Sequence, residues 1–408
     1  MKRDELEVCL KTTFSAMCMG YSRTATPDYT RSMFGRHGVR SEDVIADKLD
    51  SMSVTIIAEA GVNHNGDASL AEDLVAAAAH AGADVVKFQT FDPSCLVTAC
   101  GEKAKYQALQ DSPGESQREM LEAYRLDEAD LQGLMRSAAR VGIAFMSTPF
   151  DEGSLSLLTE TLGLTKIKLS SGDITNGPLL LAAARAAHDI ILSTGMSTLD
   201  EVRQAVAVLG FGFLVAGDAW PTSRQLSEIL EDTVALAALR SRVTLLHCVS
   251  TYPTPVADVN LRAMDALRDA FGIPVGYSDH TTGIHVSVGA VARGASVIEK
   301  HLTLDRGMPG PDHAASLEPA EFAEMVRGIR EIESALGDGV KRPVVSEADA
   351  LLAGRRSPRA ARAVRRGERL TAQDIVVLRP GDGRSPMTVW DIVGTFASRD
   401  YALEENFD

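Results

Sequence analysis

The chain has 408 residues, of which 45% are hydrophobic and 24% charged, and it carries a formal net charge of −15 at pH 7. That composition suits a folded protein of two or three domains, or one large α/β barrel with an addition. The excess of acid argues against a general affinity for nucleic acid, and no apolar run approaches bilayer length. An anionic small molecule is still admissible, because a pocket can be locally positive on an acidic protein.

Residues 1–51 show scattered charges and no hydrophobic period, and the opening "MKRDELEVCLKTT" lacks the apolar core of a signal peptide. Met52 stands just before the first strand-like run. The expectation is a leader over 1–51, disordered or outside the functional chain, which would begin at Met52. The cysteines (Cys9, Cys18, Cys95, Cys100, Cys248) are odd in number and form no CxxC pair. They read as reduced thiols of a cytoplasmic protein.

From about residue 54 to 337, apolar β-branched runs alternate with helical spacing. The runs are "TIIAEAG", "DVVKFQT", "IAFMSTP", "KIKLSSG", "DIILSTG", "VTLLHCVS", "PVGYSDH" and "SVIEKHL". Segments such as "SLAEDLVAAAAHAGA" and "PAEFAEMVRGIREIESALG" lie between them and repeat apolar residues at helical intervals. Eight such units predict a (β/α)8 TIM barrel over 52–338. An open doubly wound sheet would need a glycine-rich first turn, which is missing. The long stretch before the sixth run predicts an extended or an additional helix on the outside. After residue 338 the texture changes: 339–358 reads as a basic linker, and 359–408, with short strands and tight turns, as a small second domain.

In such a barrel the chemistry gathers at the C-terminal ends of the strands. Those ends carry Glu59, Lys87 with Gln89, Ser147 and Thr148, Lys168 and Ser171, and Ser193 and Thr194. Ser250 and Tyr252 follow, then Ser278, Asp279 and His280, and finally Lys300 and His301. A lone Ser or Thr at a strand end is commonly a helix cap. A lysine inside an apolar strand, as Lys87 and Lys168 are, needs a partner. Two lysines and several hydroxyls around one mouth suit a compact, multiply charged anion such as a phosphate ester bearing a carboxylate. His280 and His301 end neighbouring strands, and two imidazoles near a carboxylate suit a borderline divalent metal such as Mn²⁺, Zn²⁺ or Co²⁺. A helix-end or core role for His280 is an equal alternative on spacing alone. Glu59 and Asp312 are the carboxylates expected near the metal or a sugar-like substrate. His64, in "GVNHNG", reads as structural or as a support behind the site, because the flanking Asn and Gly signal a tight turn.

The motifs "IIAEAGVNHNGD", "AGADVVKFQTF", "STPFD", "LSSGDITNGPLL", "IILSTGMSTLDEV", "LLHCVSTYPTP", "GYSDHTTGI" and "VIEKHLTLDRGMPGPDHAASLEP" occur in this order. Together they resemble the N-acetylneuraminate (sialic acid) synthase family. "GERLTAQDIVVLRPG" and "SPMTVWDIVG" are similar to that family's C-terminal antifreeze-like (SAF) domain. The resemblance implies a transferase that condenses phosphoenolpyruvate with N-acetylmannosamine, in its open-chain aldehyde form, to give N-acetylneuraminate and phosphate by C–O cleavage. It implies that Lys87, Lys168, Ser171, Ser193 and Ser278 hold phosphoenolpyruvate, and that His280 and His301 bind a divalent metal, Mn²⁺ in this family. It also implies that Glu59 orients water or the aldehyde and that Asp312, Gln89, Asp173, Ser250 and Tyr252 meet the sugar. Arg379 is implied to reach the sugar of a partner subunit in a domain-swapped homodimer.

Three departures fall where the sugar is read: Asp173 stands where the family more often has Glu, Ser250 replaces a frequent Asn or Thr, and "RRSPRA" replaces a more apolar run. They keep open a 2,4-diacetamido-6-deoxy hexose as acceptor, as for a legionaminate or pseudaminate synthase. Readings of other classes are a non-catalytic relative and a phosphate-independent metal aldolase. The first would lack a strand-end lysine or a metal histidine, and the second would release no phosphate.

Overall fold

The computed structural model describes residues 53–99, 101 and 116–408. The expected leader and the start at Met52 lie outside the described residues.

All eight expected strands form: β1 (Thr55–Gly61), β2 (Val85–Thr90), β3 (Ala144–Pro149), β4 (Lys166–Leu169), β5 (Asp189–Ser193), β6 (Val243–Cys248), β7 (Val275–Asp279) and β8 (Val297–His301). They make one parallel sheet in the order β3-β2-β1-β8-β7-β6-β5-β4, with β3 and β4 packed side by side where the sheet comes round on itself. Helices on the outside return the chain between strands, among them Ala68–His80, Glu128–Val141, Gly177–Ala186, Leu199–Leu214 and Pro319–Leu336. This is the (β/α)8 TIM barrel the alternation predicts. Two helices, Ser223–Glu228 and Thr233–Arg242, rather than one, fill the long connection before β6.

The period of two along each strand sorts the side chains into an outer and an inner set. Outward residues such as Ile56, Ala58, Val86, Phe88, Ile190, Leu192, Leu245 and Ile298 join the helices in the main core. Inward residues Ile57, Val85, Met146, Ile191, Leu246 and Val297 form a separate apolar floor inside the barrel. Two residues further along each strand, on the same inner face, stand the charged and polar groups described below.

The outer set contains one charged pair. Lys300 and Asp279, adjacent in register, lie 3.0 Å apart with both side chains fully buried. Asp279 also accepts hydrogen bonds from the Thr281 amide (2.8 Å) and Ser287 Oγ (2.6 Å), and Lys300 Nζ donates to the Thr281 carbonyl (2.5 Å). The ends of β7 and β8 therefore do not aim every polar residue at one spot. Asp279 and Lys300 face the helices and lock the two strands to the turn after β7.

Helix Ala348–Gly354 occupies part of the expected linker, and β9 (Ser357–Ala360) begins two residues before the expected boundary at 359. β9 pairs antiparallel with β10 (Ile375–Leu378), and Ala360, Val364, Leu370, Ile392, Ala397, Tyr401 and Phe407 form a small core of their own. No helix among the described residues is long and apolar enough to cross a membrane.

Removing one member of a buried ion pair strands the other charge, at a cost of roughly 3–5 kcal/mol. Lys300→Met is accordingly expected to lower the unfolding free energy in urea by that amount. A loss below about 1 kcal/mol, the range of an exposed pair, would show that the pair does not hold the strands.

Candidate active site

A cavity of about 590 Å³ opens at the C-terminal ends of the strands. Its base is the second inner layer: Glu59 of β1, Lys87 of β2, Thr148 of β3, Lys168 of β4, Ser193 of β5, Cys248 of β6, Ser278 of β7 and Glu299 of β8. Another hollow of about 680 Å³, beside Asn260, Arg262 and Arg293, lies on the outer helices and gathers no buried polar groups.

Four of the base residues carry charge and are almost wholly buried, between 2 and 5% exposed. Burial of that depth requires pairing; strand register supplies the first pair, and contacts across the barrel supply the others. Glu59 and Lys87 are opposite each other in β1 and β2, with Lys87 Nζ 2.6 Å from Glu59 Oε2. Lys87 Nζ is also 3.7 Å from Glu299 Oε2 and donates to Thr148 Oγ1 at 3.2 Å. Lys168 Nζ is 3.5 Å from Glu299 Oε1, which accepts from Ser278 Oγ at 3.0 Å. Signs thus alternate along the row Glu59, Lys87, Glu299, Lys168. Burial opposes the Glu299 charge, yet Lys168 and Lys87 prevail and hold its carboxyl down at about 2. Burial likewise opposes the Lys87 charge, and Glu299 with Glu59 overcome it, raising that amine. Lys168 faces one carboxylate only, and burial lowers it.

Around this row stand hydroxyls suited to an anion's oxygens. Ser193 Oγ is buried and has no hydrogen-bond partner among the described residues. Ser171 Oγ accepts from the Gly195 amide at 3.0 Å and lies 3.1 Å from Cys248 Sγ. Gly195 is needed there, because a Cβ would fall 2.4 Å from Ser250 Oγ and 2.8 Å from Cys248 Sγ.

The rim holds the imidazoles. The His280 and His301 rings are 5.5 Å apart, with the Tyr252 ring 4.2 and 5.7 Å away. His280 Nδ1 donates to the Val249 carbonyl at 2.8 Å, which leaves the Nε2 lone pair free. His301 Nδ1 is buried without a hydrogen-bond partner, 3.8 Å from Asp312 Oδ2. Burial lowers both rings and keeps them neutral, the form that ligates. Among the described residues no group of three or more His, Cys, Asp or Glu side chains is placed to hold an ion. A cation here would therefore have two protein ligands and take the rest from water or substrate. The orphaned His301 nitrogen and the oriented His280 ring fit that arrangement.

Burial, and then the neighbouring Glu59 charge, raise the Asp312 carboxyl to about 7. Glu59 Oε1 accepts from Gln89 Nε2 at 3.2 Å. Asp173 accepts from Ser170 Oγ at 2.6 Å and is raised by burial. Opposite these polar groups the wall is apolar, with Phe91, Leu96, Val97, Met120, Leu121 and Phe150.

Thirteen of the fourteen residues expected at the site line this one cavity: Glu59, Lys87, Gln89, Lys168, Ser171, Asp173, Ser193, Ser250, Tyr252, Ser278, His280, His301 and Asp312. Arg379 is exposed beyond β10 and does not line it. Of the further strand-end residues, Ser147 faces the other way, 2.7 Å from Thr90 Oγ1, and Thr194 donates to the Leu246 carbonyl at 3.0 Å. Sequence reasoning missed Glu299, although it shares a strand face with His301, and it missed the apolar wall. His64 is structural as expected: its ring is buried and its Nδ1 accepts from the Gly66 amide at 3.0 Å.

Residues 74–341 match the NeuB family. An N,N'-diacetyllegionaminic acid synthase of Campylobacter jejuni is 43% identical over 350 residues, covering 86% of this chain and 97% of that protein. The human N-acetylneuraminate-9-phosphate synthase is 32% identical over 361 residues, covering 86% and 92%. The crystal structure of an N-acetylneuraminic acid (sialic acid) synthetase from Leptospira borgpetersenii, in complex with citrate, superposes with a TM-score of 0.58 at 33% identity, covering 73% of this chain and 90% of that one.

Asp312 yields a pH signature in the metal-free protein. The folded state holds its proton up to about pH 7, whereas the unfolded chain releases it near 3.9. Below the unfolded value both states are protonated, so the penalty appears only as pH rises. In urea unfolding, the stability of Asp312→Asn relative to the wild type is expected to increase from about pH 4 to about pH 7 and then level off. A difference that stays flat over that window would show that Asp312 titrates as an ordinary carboxylate.

Proposed function

The chain belongs to the NeuB family and its chemistry is that of a sialic-acid-type synthase; we propose that it condenses phosphoenolpyruvate with a 2,4-diacetamido-6-deoxy hexose to give a legionaminate-type nine-carbon keto acid and phosphate. The observation that carries the reaction is the buried pair Lys87 and Lys168, set in one cavity with unpaired hydroxyl and imidazole groups.

Lys87 and Lys168 neutralise the phosphate and carboxylate of phosphoenolpyruvate, with Ser171, Ser193 and Ser278 donating or accepting at its oxygens. C3 of phosphoenolpyruvate attacks the aldehyde carbon of the open-chain sugar, and the aldehyde oxygen gains the proton that makes it a hydroxyl. Water adds to C2, losing one proton; the C2–O bond to phosphate then breaks as the new C2 hydroxyl becomes the carbonyl, and its proton passes to the departing phosphate. Glu59, beside Lys87 and Gln89, is placed to orient that water or the aldehyde. A divalent cation on His280 and His301, with Mn²⁺ the reading, supplies Lewis-acid polarisation of the aldehyde when bound. Asp312, Gln89, Asp173, Ser250 and Tyr252 line the sugar's path.

Two observations support the deoxy, diacetamido acceptor. The wall made by Leu96, Val97, Met120 and Leu121 offers apolar contact to acetamido methyls and a C6 methyl. Identity to the legionaminic acid synthase (43%) exceeds that to the neuraminate-9-phosphate synthase (32%). N-acetylmannosamine is the second reading, supported by the similarity to the neuraminate-9-phosphate synthase and to the sialic acid synthetase. Arg379 would complete the sugar end of a partner's cavity in a homodimer, which would cover Met387, Trp390 and Phe396, now 66–69% exposed.

With Mn²⁺ present, phosphate release from phosphoenolpyruvate is expected with the diacetamido sugar, at least about tenfold faster than with N-acetylmannosamine, and it should stop on adding a chelator. Faster release with N-acetylmannosamine would move the acceptor to the second reading. Silence with every sugar would overturn the reaction.

A further inference from the structure

The sequence motif "GVNHNG", residues 61–66, begins beside the site, with Gly61 close to Glu59, Gln89 and Asp312 and Val62 lining the cavity, yet its two asparagine side chains are spent on another loop. That loop runs from Leu302 to Glu318 after β8, carries Asp312, is closed at its base by a parallel bridge between Leu302 and Leu317, and has a single helical turn at His313–Ala315. Asn63 Nδ2 donates to the Leu302 carbonyl (2.8 Å) and to Ser316 Oγ (2.9 Å), and so joins the two ends of the loop. Ser316 Oγ in turn donates to the carbonyl of Asp312 at 2.6 Å. Asn65 holds the middle: its Nδ2 donates to the Pro309 carbonyl at 2.9 Å, and its Oδ1 is 3.1 Å from His313 Nε2.

The hydrogen bonds fix one arrangement of protons. Because the Asn65 amide nitrogen is committed to Pro309, its oxygen faces His313, so His313 Nε2 carries the proton and donates. His313 Nδ1 then accepts from the Thr303 hydroxyl, 2.7 Å away, which turns to the ring rather than to the Asp305 carbonyl at 3.1 Å. His313 and Thr303 are fully buried. The chain passes flush over this pair at Gly310, whose φ of +142° suits glycine and where a Cβ would lie 2.8 Å from Asn65 Oδ1. Asn65 itself sits at φ +51°, a left-handed conformation that asparagine tolerates.

We propose that Asn65 and His313 form a latch that positions Asp312 at the acceptor end of the cavity, so that two residues which touch neither substrate set the affinity for the sugar. The physical need is plain. Asp312 is buried, and the nearest ring nitrogen, His301 Nδ1 of a neutral imidazole, is 3.8 Å from its carboxyl, beyond hydrogen-bonding distance. A buried carboxyl group in that position gains by swinging out to water, whether protonated or ionised, unless its backbone is tied. The latch ties it from the opposite side of the β1–β8 seam. The inference rests on the reading that Asp312 meets the sugar, and the test separates the two.

Asn65→Gly keeps the left-handed backbone and removes both latch bonds, whereas Asn65→Asp keeps only the acceptor toward His313. In Asn65→Gly, the KM for the sugar is expected to rise about tenfold while the KM for phosphoenolpyruvate stays within about twofold, with Asn65→Asp in between. Amide hydrogen exchange over 302–318 is expected to speed up about tenfold in Asn65→Gly, whether or not turnover is seen. Unchanged exchange, an unchanged sugar KM, or both KM values rising together would overturn the latch. Faster exchange in a protein whose wild type turns over no sugar would leave the latch standing and overturn the reading on which its role rests.

Discussion

The structure of the site follows from the requirement that a charge taken out of water be paired. Glu59, Lys87, Glu299 and Lys168 stand side by side inside the barrel, and each sign is held by the next. No one of them could be buried alone. Together they form a neutral row whose two ammonium groups remain available to an anion arriving from above. An anion bound above the row would share the two lysines with Glu59 and Glu299, which stay paired beneath it. The site is thus organised before its substrate arrives, which lowers the cost of binding and of stabilising charge that develops during reaction.

The same strand geometry that buries the row also stacks the functions in layers. An apolar floor closes the barrel below. The charged row lies two residues further along each strand, and the imidazoles two residues above that, in reach of both the row and the mouth. The proposed condensation would use this succession, with the anion held deep, the aldehyde polarised in the middle and the larger partner at the wider entrance. The entrance has one polar side and one apolar side, which is the character of an acetamido sugar. Asp279 and Lys300, alternate residues of the same two strands, serve the outside and keep β7 and β8 in register for the inner set.

Much of this was legible in the sequence, because a barrel's site is built at known ends of strands whose apolar runs are hard to mistake. Lys87 and Lys168 announced themselves as lysines within buried strands, and the ends of β7 and β8 as a pair of histidines. What escaped was the consequence of alternation. Reading the last residues of "VIEKH" as a unit favoured Lys300 over Glu299, although parity with His301 places Glu299 inside and Lys300 outside. Ser278 and Asp279 divide in the same manner. The apolar wall was not legible at all, since Leu96, Val97, Met120 and Leu121 come from short helices that follow β2, and nothing local tells which of their faces meets the cavity. The roles of Asn65 and His313 depend on contacts across about 250 positions of sequence and needed the fold.

The central claim is that the buried lysine pair is the anchor for phosphoenolpyruvate, and direct calorimetric titration of that molecule into the sugar-free protein tests it. The account predicts saturable one-to-one binding by the wild type and at least a hundredfold loss, about 2.7 kcal/mol, in Lys168→Met. Equal affinity in the two proteins would contradict it and place the anchor elsewhere.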